Sequence, residues 1–180
     1  MDRELAAGGG QDCPMRSEDV LDVLDRLAAE GVVAWVDGGW GVDALLQQQT
    51  RGHCDLDLVI DAAAVSRLST VLIAQGFAVV RDWLPTAIAF KHTDGRAIDL
   101  HPVELTPDGG GDQIQLDGVK RFHYAAPTSG RIGGRLVACC TVETQIASHL
   151  GYQPHEHDLA DMRALAKKFG RELPPPYERT

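Results

Sequence analysis

Apolar residues recur at helical spacing through Val20, Leu21, Leu24, Leu27 and Ala28. Ser17 is the expected N-cap, Glu18 and Asp19 suit the first turn, and Gly31 suits the stop. The period then changes. "VVAWV" (32–36) is apolar and largely β-branched, which predicts a buried strand. A short helix is expected from Trp40 to about Gln48, beginning at the Gly38-Gly39 pair, and "DLDLVI" (55–60) alternates as a strand does. Asp61 caps a predicted helix through "AAAVSRLSTVLIAQ" that stops at Gly76. Strands follow at 77–83, 86–92 and 96–102, with Asp94-Gly95 as a hairpin turn between the last two.

Turn residues dominate from Pro107 to Gly134, with two short strands expected at 112–116 and 119–124. Thr141 caps a helix to about Leu150, and a second helix runs after Pro154 to Phe169, before Gly170. "LPPPY" predicts an extended tail. The expected organisation is a Gly-rich disordered leader (1–16), a main domain (17–137), a C-terminal helical region (138–172) and the tail (173–180). The fold class is α+β: a mixed β-sheet flanked by helices, with a small helical C-terminal region.

A chain of 180 residues with 44% hydrophobic and 24% charged positions can bury a core without staples. No apolar run is long enough to span a bilayer and residues 1–14 have no signal-peptide core, so a cytoplasmic protein is expected. The four cysteines form no CxxC pair, which predicts reduced thiols rather than a disulfide framework. A formal net charge of −9 speaks against nucleic acid as a partner, and with no spanning apolar run no membrane partner is expected. Such acidity either only keeps the protein soluble or draws cations, metal ions or a polycationic small molecule.

Residues two apart on a strand share a face, so Asp55 and Asp57 project together. Two carboxylates this close repel unless a cation lies between them, and hard oxygen donors suit Mg²⁺ or Mn²⁺. Asp99, in "AIDLH", is again a single acid in an apolar strand. A neighbouring strand could set it beside the pair, and three carboxylates on one face can hold two Mg²⁺ ions for in-line displacement at phosphorus. Taken alone, the DxD also fits a solvated strand face. Gly38 and Gly39 lie where a strand meets a helix start; glycine there lets backbone amides approach a phosphate, or simply makes a tight turn. No P-loop or dinucleotide fingerprint is present.

In combination these features are more specific. "VDGGWGVDALL…TRGHCDLDLVI…AIDL" resembles the polymerase-β-type nucleotidyltransferase superfamily, and its longer wording is most similar to the small antibiotic nucleotidyltransferases. Those are the aminoglycoside 2″-adenylyltransferases and the lincosamide nucleotidyltransferases. The resemblance covers about Val32 to Pro102; the helical end is only loosely similar. It implies Asp55 and Asp57 as Mg²⁺ ligands, with Asp99 as the third carboxylate, ligating the metal or taking the acceptor's proton. It implies Gly38 and Gly39 as the cradle of a nucleoside triphosphate, ATP or another NTP, and Arg51 as a phosphate contact. Gln47 to Gln49 depart from the pattern, in a loop where relatives often carry glycine or a basic residue.

The implied activity is transfer of a nucleoside monophosphate, AMP from ATP, to a small-molecule hydroxyl, with an aminoglycoside preferred on net charge. Alternatives are a lincosamide or protein acceptor, or a non-catalytic binding or antitoxin module. The small C-terminal region leaves room for a partner subunit, as in a homodimer, to complete the acceptor pocket. Arg51 could equally pair with Asp43 or Asp55, and His101, on the Asp99 face, could line the cleft or be a satisfied histidine. Trp35 and Trp40 read as core, although Trp40 borders the glycine turn and is a candidate substrate contact. His149 and Tyr152 could frame base or acceptor, or pack a helix end. Glu156, Asp158 and Asp161 complement a helix dipole, or form an acidic wall for a cationic substrate. "PHEHDLAD" lacks zinc-site spacing.

Overall fold

Alternation and apolar runs set the strands, and the strands set everything else. The computed structural model describes residues 15–178, so all but the last two residues of the expected leader lie outside the described residues. Of those two, Met15 is buried and forms an isolated bridge with His53. Helix α1 (Ser17–Ala29) follows and buries Val20, Val23 and Leu27. Its cap position falls on Arg16, not Ser17: the Asp19 carboxylate accepts the Arg16 backbone N–H at 3.0 Å, and a carboxylate serves a helix start better than a hydroxyl.

The chain then builds β1 (Ala34–Asp37), α2 (Gly38–Leu46), β2 (Asp55–Asp61), a short 3₁₀ turn (Ala62–Ala64) and α3 (Val65–Ala74). Strands β3 (Phe77–Trp83), β4 (Ala87–His92) and β5 (Ala97–Leu105) form an antiparallel meander. Next come β6 (Gly111–Ile114), β7 (Arg121–Tyr124), β8 (Thr128–Ile132), β9 (Arg135–Cys139), α4 (Val142–Ser148) and α5 (Glu156–Phe169). Asp61 caps the 3₁₀ turn by accepting from Ala63 N, and Thr141 caps α4 by accepting from Thr144 N.

The sheet runs β3-β4-β5-β2-β1-β9-β8, with β6 and β7 continuing from the end of β5. Pairs β2–β5 and β1–β9 are parallel and the rest antiparallel, so the sheet is mixed, as expected. Two of these strands, β8 and β9, are absent from the sequence expectation. The Gly133-Gly134 turn and the exposed Ser129, Arg131, Arg135 and Leu136 mask a strand pair whose inner positions are Gly130, Ile132, Val137 and Cys139. The boundary expected after residue 137 therefore cuts through β9, which is part of the sheet.

Apolar residues on one sheet face (Val36, Leu56, Leu58, Ile60, Ile98, Leu100) join one core with all five helices. The other face is divided. At one end it carries carboxylates; at the other, Trp35, Val59, Val103, Tyr124 and Cys140 make a second small cluster beneath the β6–β7 hairpin. The C-terminal tail is not freely extended: Tyr177 is fully buried and donates its hydroxyl to the His149 carbonyl at 2.8 Å. Cys139 and Cys140 are buried free thiols, but Cys54, in an exposed loop open to another thiol, is disulfide-bonded, correcting the expectation of four reduced cysteines. Among the described residues no helix is long and apolar enough to cross a membrane.

Candidate active site

The site is built from strand register. Across three adjacent strands Asp37 opposes Asp57, and Asp57 opposes Asp99. Residues paired directly across neighbouring strands share a sheet face, so the three carboxylates form one transverse row. The row continues through Ala89 on β4 to Arg81 on β3. His101 lies two residues beyond Asp99 on the same face, its Nε2 3.3 Å from Asp57 Oδ1. The ring is steadied by Gln113 of β6, whose amide lies 3.2 Å from Nδ1 and donates to the Thr86 carbonyl.

Asp57, Asp99 and His101 each offer a ligand atom within 4.8 Å of the others. Asp99 Oδ1 and Asp37 Oδ1 are buried without a hydrogen-bond partner, the state in which a carboxylate is most costly unless a cation approaches. The carboxylates therefore fit a hard divalent ion such as Mg²⁺ or Mn²⁺. Asp55, two residues before Asp57 on the same face and at the exposed start of β2, adds no ligand atom to that group of three. It still feels the others: the Asp57 charge, then burial and Asp99, push its pKa up to about 6.

Electrostatic crowding marks the whole row. Burial raises the Asp37 pKa, and the nearby Asp57 adds to the rise. Burial likewise raises Asp99, with Asp57 acting in the same direction while His101 and Arg81 oppose it. At His101 burial disfavours charge, yet the bond to Asp57 and the charges of Asp57, Asp99 and Asp37 outweigh it, lifting its pKa to about 9. The imidazolium thus serves as an internal counter-ion to the acids.

The glycine pair has a steric reason beyond any phosphate. Gly38 sits at φ +57°, and a Cβ there would lie 2.2 Å from Asp57 Oδ2. At Gly39 a Cβ would lie 2.5 Å from His53 Nδ1 and 2.7 Å from Arg51 Nη2. Both residues are bare because the acid strand and the preceding loop press against the start of α2, which follows β1 without a linker.

Arg51 pairs with neither Asp43 nor Asp55; its guanidinium donates to Asp161 of α5 at 3.0 Å. Asp43 instead accepts from Thr50 and lies 2.5 Å from His53 Nε2. Trp40 is only 2% exposed and rests against the His53 ring, so it is core and offers no substrate a surface. Asp158 caps α5 by accepting the His155 N–H, and Tyr177 buttresses His149, 6.4 Å from the Tyr152 ring. His149, Tyr152 and Asp158 thus sit where α4, α5 and the tail meet. A cavity of about 580 Å³ opens at the far end of the acid-bearing sheet face, lined by Val32, Trp35, Asp61, Arg67, Leu105 and Pro127 among others. No residue singled out from the sequence for ligand contact lines it.

Asp37 and Arg81 were not identified from sequence. Asp37 ends an apolar strand just before the glycines and passes for a turn residue. Arg81 is a lone basic residue in a partly exposed strand; only register reveals that it reaches Asp99.

Residues 19–165 match the family model described as aminoglycoside-2″-adenylyltransferase. A lincosamide resistance protein of Staphylococcus haemolyticus is 30% identical over 151 residues, covering 82% of this chain and 92% of that protein. The crystal structure of a lincosamide antibiotic adenylyltransferase with lincomycin bound superposes with a TM-score of 0.74 at 29% identity, covering 82% of this chain and 94% of that one. An aminoglycoside enzyme solved in complex with adenylyl-2″-tobramycin shares the fold, with a TM-score of 0.63 at 20% identity over 86% of this chain and 89% of that one. With its mixed sheet, row of acids and glycine-led helix, the chain belongs to the aminoglycoside-2″-adenylyltransferase family of antibiotic nucleotidyltransferases.

Proposed function

We propose that this nucleotidyltransferase moves the adenylyl group of ATP to a hydroxyl of a small antibiotic and releases pyrophosphate, with Mg²⁺ as its metal. The observation that carries the reading is the register of β2 against β5, which sets Asp57 beside Asp99 with His101 at hand. Asp57 and Asp99 would hold the ion, with Asp55 at the open edge and the His101 imidazolium beside them. When bound, Mg²⁺ supplies charge neutralisation for the triphosphate and lowers the acceptor hydroxyl's pKa.

The chain's own groups do the rest. Asp99, its pKa raised by burial, is suited to take the proton of the acceptor hydroxyl. The hydroxyl oxygen then bonds to the α-phosphorus as the bond to the pyrophosphate oxygen breaks. Gly38 and Gly39 let the start of α2 approach the phosphates, and Arg51, aimed by Asp161, lies against Gly39 where leaving-group charge would gather.

Relatives act on two acceptor classes, lincosamides and aminoglycosides, and both carry hydroxyl groups. The test is incubation with Mg²⁺, each labelled NTP and a panel including lincomycin and tobramycin, with product mass as readout. A product heavier by one adenylyl group, absent with Asp57→Asn, is expected. Transfer that survives Asp57→Asn would overturn the metal assignment.

A further inference from the structure

Arg81 lies on the opposite side of Asp99 from the glycine turn. In the transverse row, β1 with its glycine-led helix is at one end and β3 with Arg81 at the other, so Asp57 and Asp99 stand between them. If the triphosphate occupies the glycine end, the acceptor hydroxyl must approach Asp99 from the Arg81 end. There the Arg81 Nη2 donates to Asp99 Oδ2, leaving Oδ1 without a partner. Arg81 Nε is also buried and unpartnered, an N–H aimed at nothing in the protein. The guanidinium lies 4.6 Å over the Trp83 ring, and Trp83 is itself 44% exposed.

We propose that Arg81, backed by Trp83, selects the acceptor: it admits a hydroxyl-rich molecule of low positive charge and turns away polycations. This rests on the adenylyl-transfer reading and narrows its substrate class. The reasoning is chemical. An arginine has N–H donors and no acceptor, so it bonds sugar hydroxyls, carbonyls and carboxylates, whereas an ammonium group can only be repelled. The exposed indole offers an apolar plane for a ring or alkyl group, which a heavily hydrated polyamine uses poorly. Pairing with Arg81 also removes from Asp99 the free negative charge that would attract an ammonium. The overall charge of −9 therefore does not describe the acceptor side.

The experiment is calorimetric titration of lincomycin, which carries one amine, and tobramycin, which carries several, into protein loaded with Mg²⁺ and a non-hydrolysable ATP analogue. The wild type is expected to bind lincomycin at least about tenfold more tightly than tobramycin. Arg81→Gln should shrink or reverse that ratio, weakening lincomycin and strengthening tobramycin. Arg81→Lys should keep tobramycin out while losing part of the lincomycin affinity, because charge remains and the fork does not. Nucleotide binding by all three proteins reports an intact fold. Failure of the wild type to bind the nucleotide with Mg²⁺ would sink the transferase reading. Normal nucleotide binding with an unchanged antibiotic ratio in Arg81→Gln, or no binding of either antibiotic by the wild type, would overturn the Arg81 assignment alone.

Discussion

Asp57 and Asp99 are direct register partners on parallel strands, and nothing but a cation or a proton can make that neighbourhood comfortable. Asp37 extends the row on the other side, and His101 beside Asp57 and Arg81 against Asp99 supply the protein's own positive charge. The site is thus held in a state that a divalent ion would relieve.

This crowding has a pH signature. Asp55, with its pKa pushed up to about 6, is neutral below that value and charged above it. Mg²⁺ affinity is accordingly expected to rise as pH increases through about 6, with protons released on binding. Titration calorimetry in buffers of different ionisation enthalpy checks both. Affinity that stays flat from pH 5 to 7.5 would contradict the crowding of Asp55.

The same shift bears on stability. A carboxylate whose folded pKa exceeds its unfolded value binds more protons in the native state, so its stability contribution grows as pH falls and is lost as pH rises through about 6. Asp55→Asn should therefore stabilise the metal-free protein at pH 7.5 and do little near pH 4. Because Asp55 is exposed, water screens the effect to about 1 kcal/mol, or roughly 2–4 °C in Tm. Thermal melts in chelator at the two pH values read it directly.

Gly38→Ala places a methyl group 2.2 Å from the Asp57 carboxylate at a positive φ. A stability loss of about 1–3 kcal/mol is expected from the backbone alone. Transfer should fall by roughly 100-fold or more as Asp57 is pushed aside, about 2.7 kcal/mol of barrier. Full activity in a purified, folded Gly38→Ala protein would show that Asp57 can move without consequence.

Asp161 aims Arg51, and the two are joined from elements far apart in sequence. Asp161→Asn should raise the KM for ATP by roughly 3–10-fold, about 1 kcal/mol, while the acceptor KM holds. Combined with Arg51→Ala the effects should be non-additive, since either change breaks the same pair. A change in acceptor KM alone would move Arg51 to the other half of the site.

Tyr177→Phe removes the hydroxyl that bonds the His149 carbonyl and is expected to cost about 1 kcal/mol. Tyr177→Ala empties a fully buried pocket and should cost about 3–5 kcal/mol. Urea titration separates the two. Equal stability of wild type and Tyr177→Ala would mean that the tail contributes nothing to the fold.

The parts legible in the sequence share one trait: a local pattern that burial could not contradict. Strand β3 (77–83) was located to the residue because its run ends at Gly76 on one side and at Leu84-Pro85 on the other. Asp57 and Asp99 stood out because each is an acid in an otherwise apolar strand and the second strengthens a reading that the first alone left open. What escaped notice depends on pairing across the chain. Strands β8 and β9 are short and glycine-punctuated, and gain their place only beside β1. The partner of Arg51 lies on a helix far downstream, so nearby acids looked better. Arg81 likewise needs β3, β4 and β5 in register before it has any meaning.

That dependence on register reaches into how the protein acquires its site. The parallel β2–β5 pairing spans the whole of α3, β3 and β4, a long chain closure that short-range elements cannot make alone. Asp37 and Asp57 already meet in the β1–β2 pair, but Asp99 joins them only when that closure is made. Metal and folding are thereby linked: an ion that recognises the completed row binds the finished molecule and ignores the unfinished chain, shifting the balance toward it by mass action.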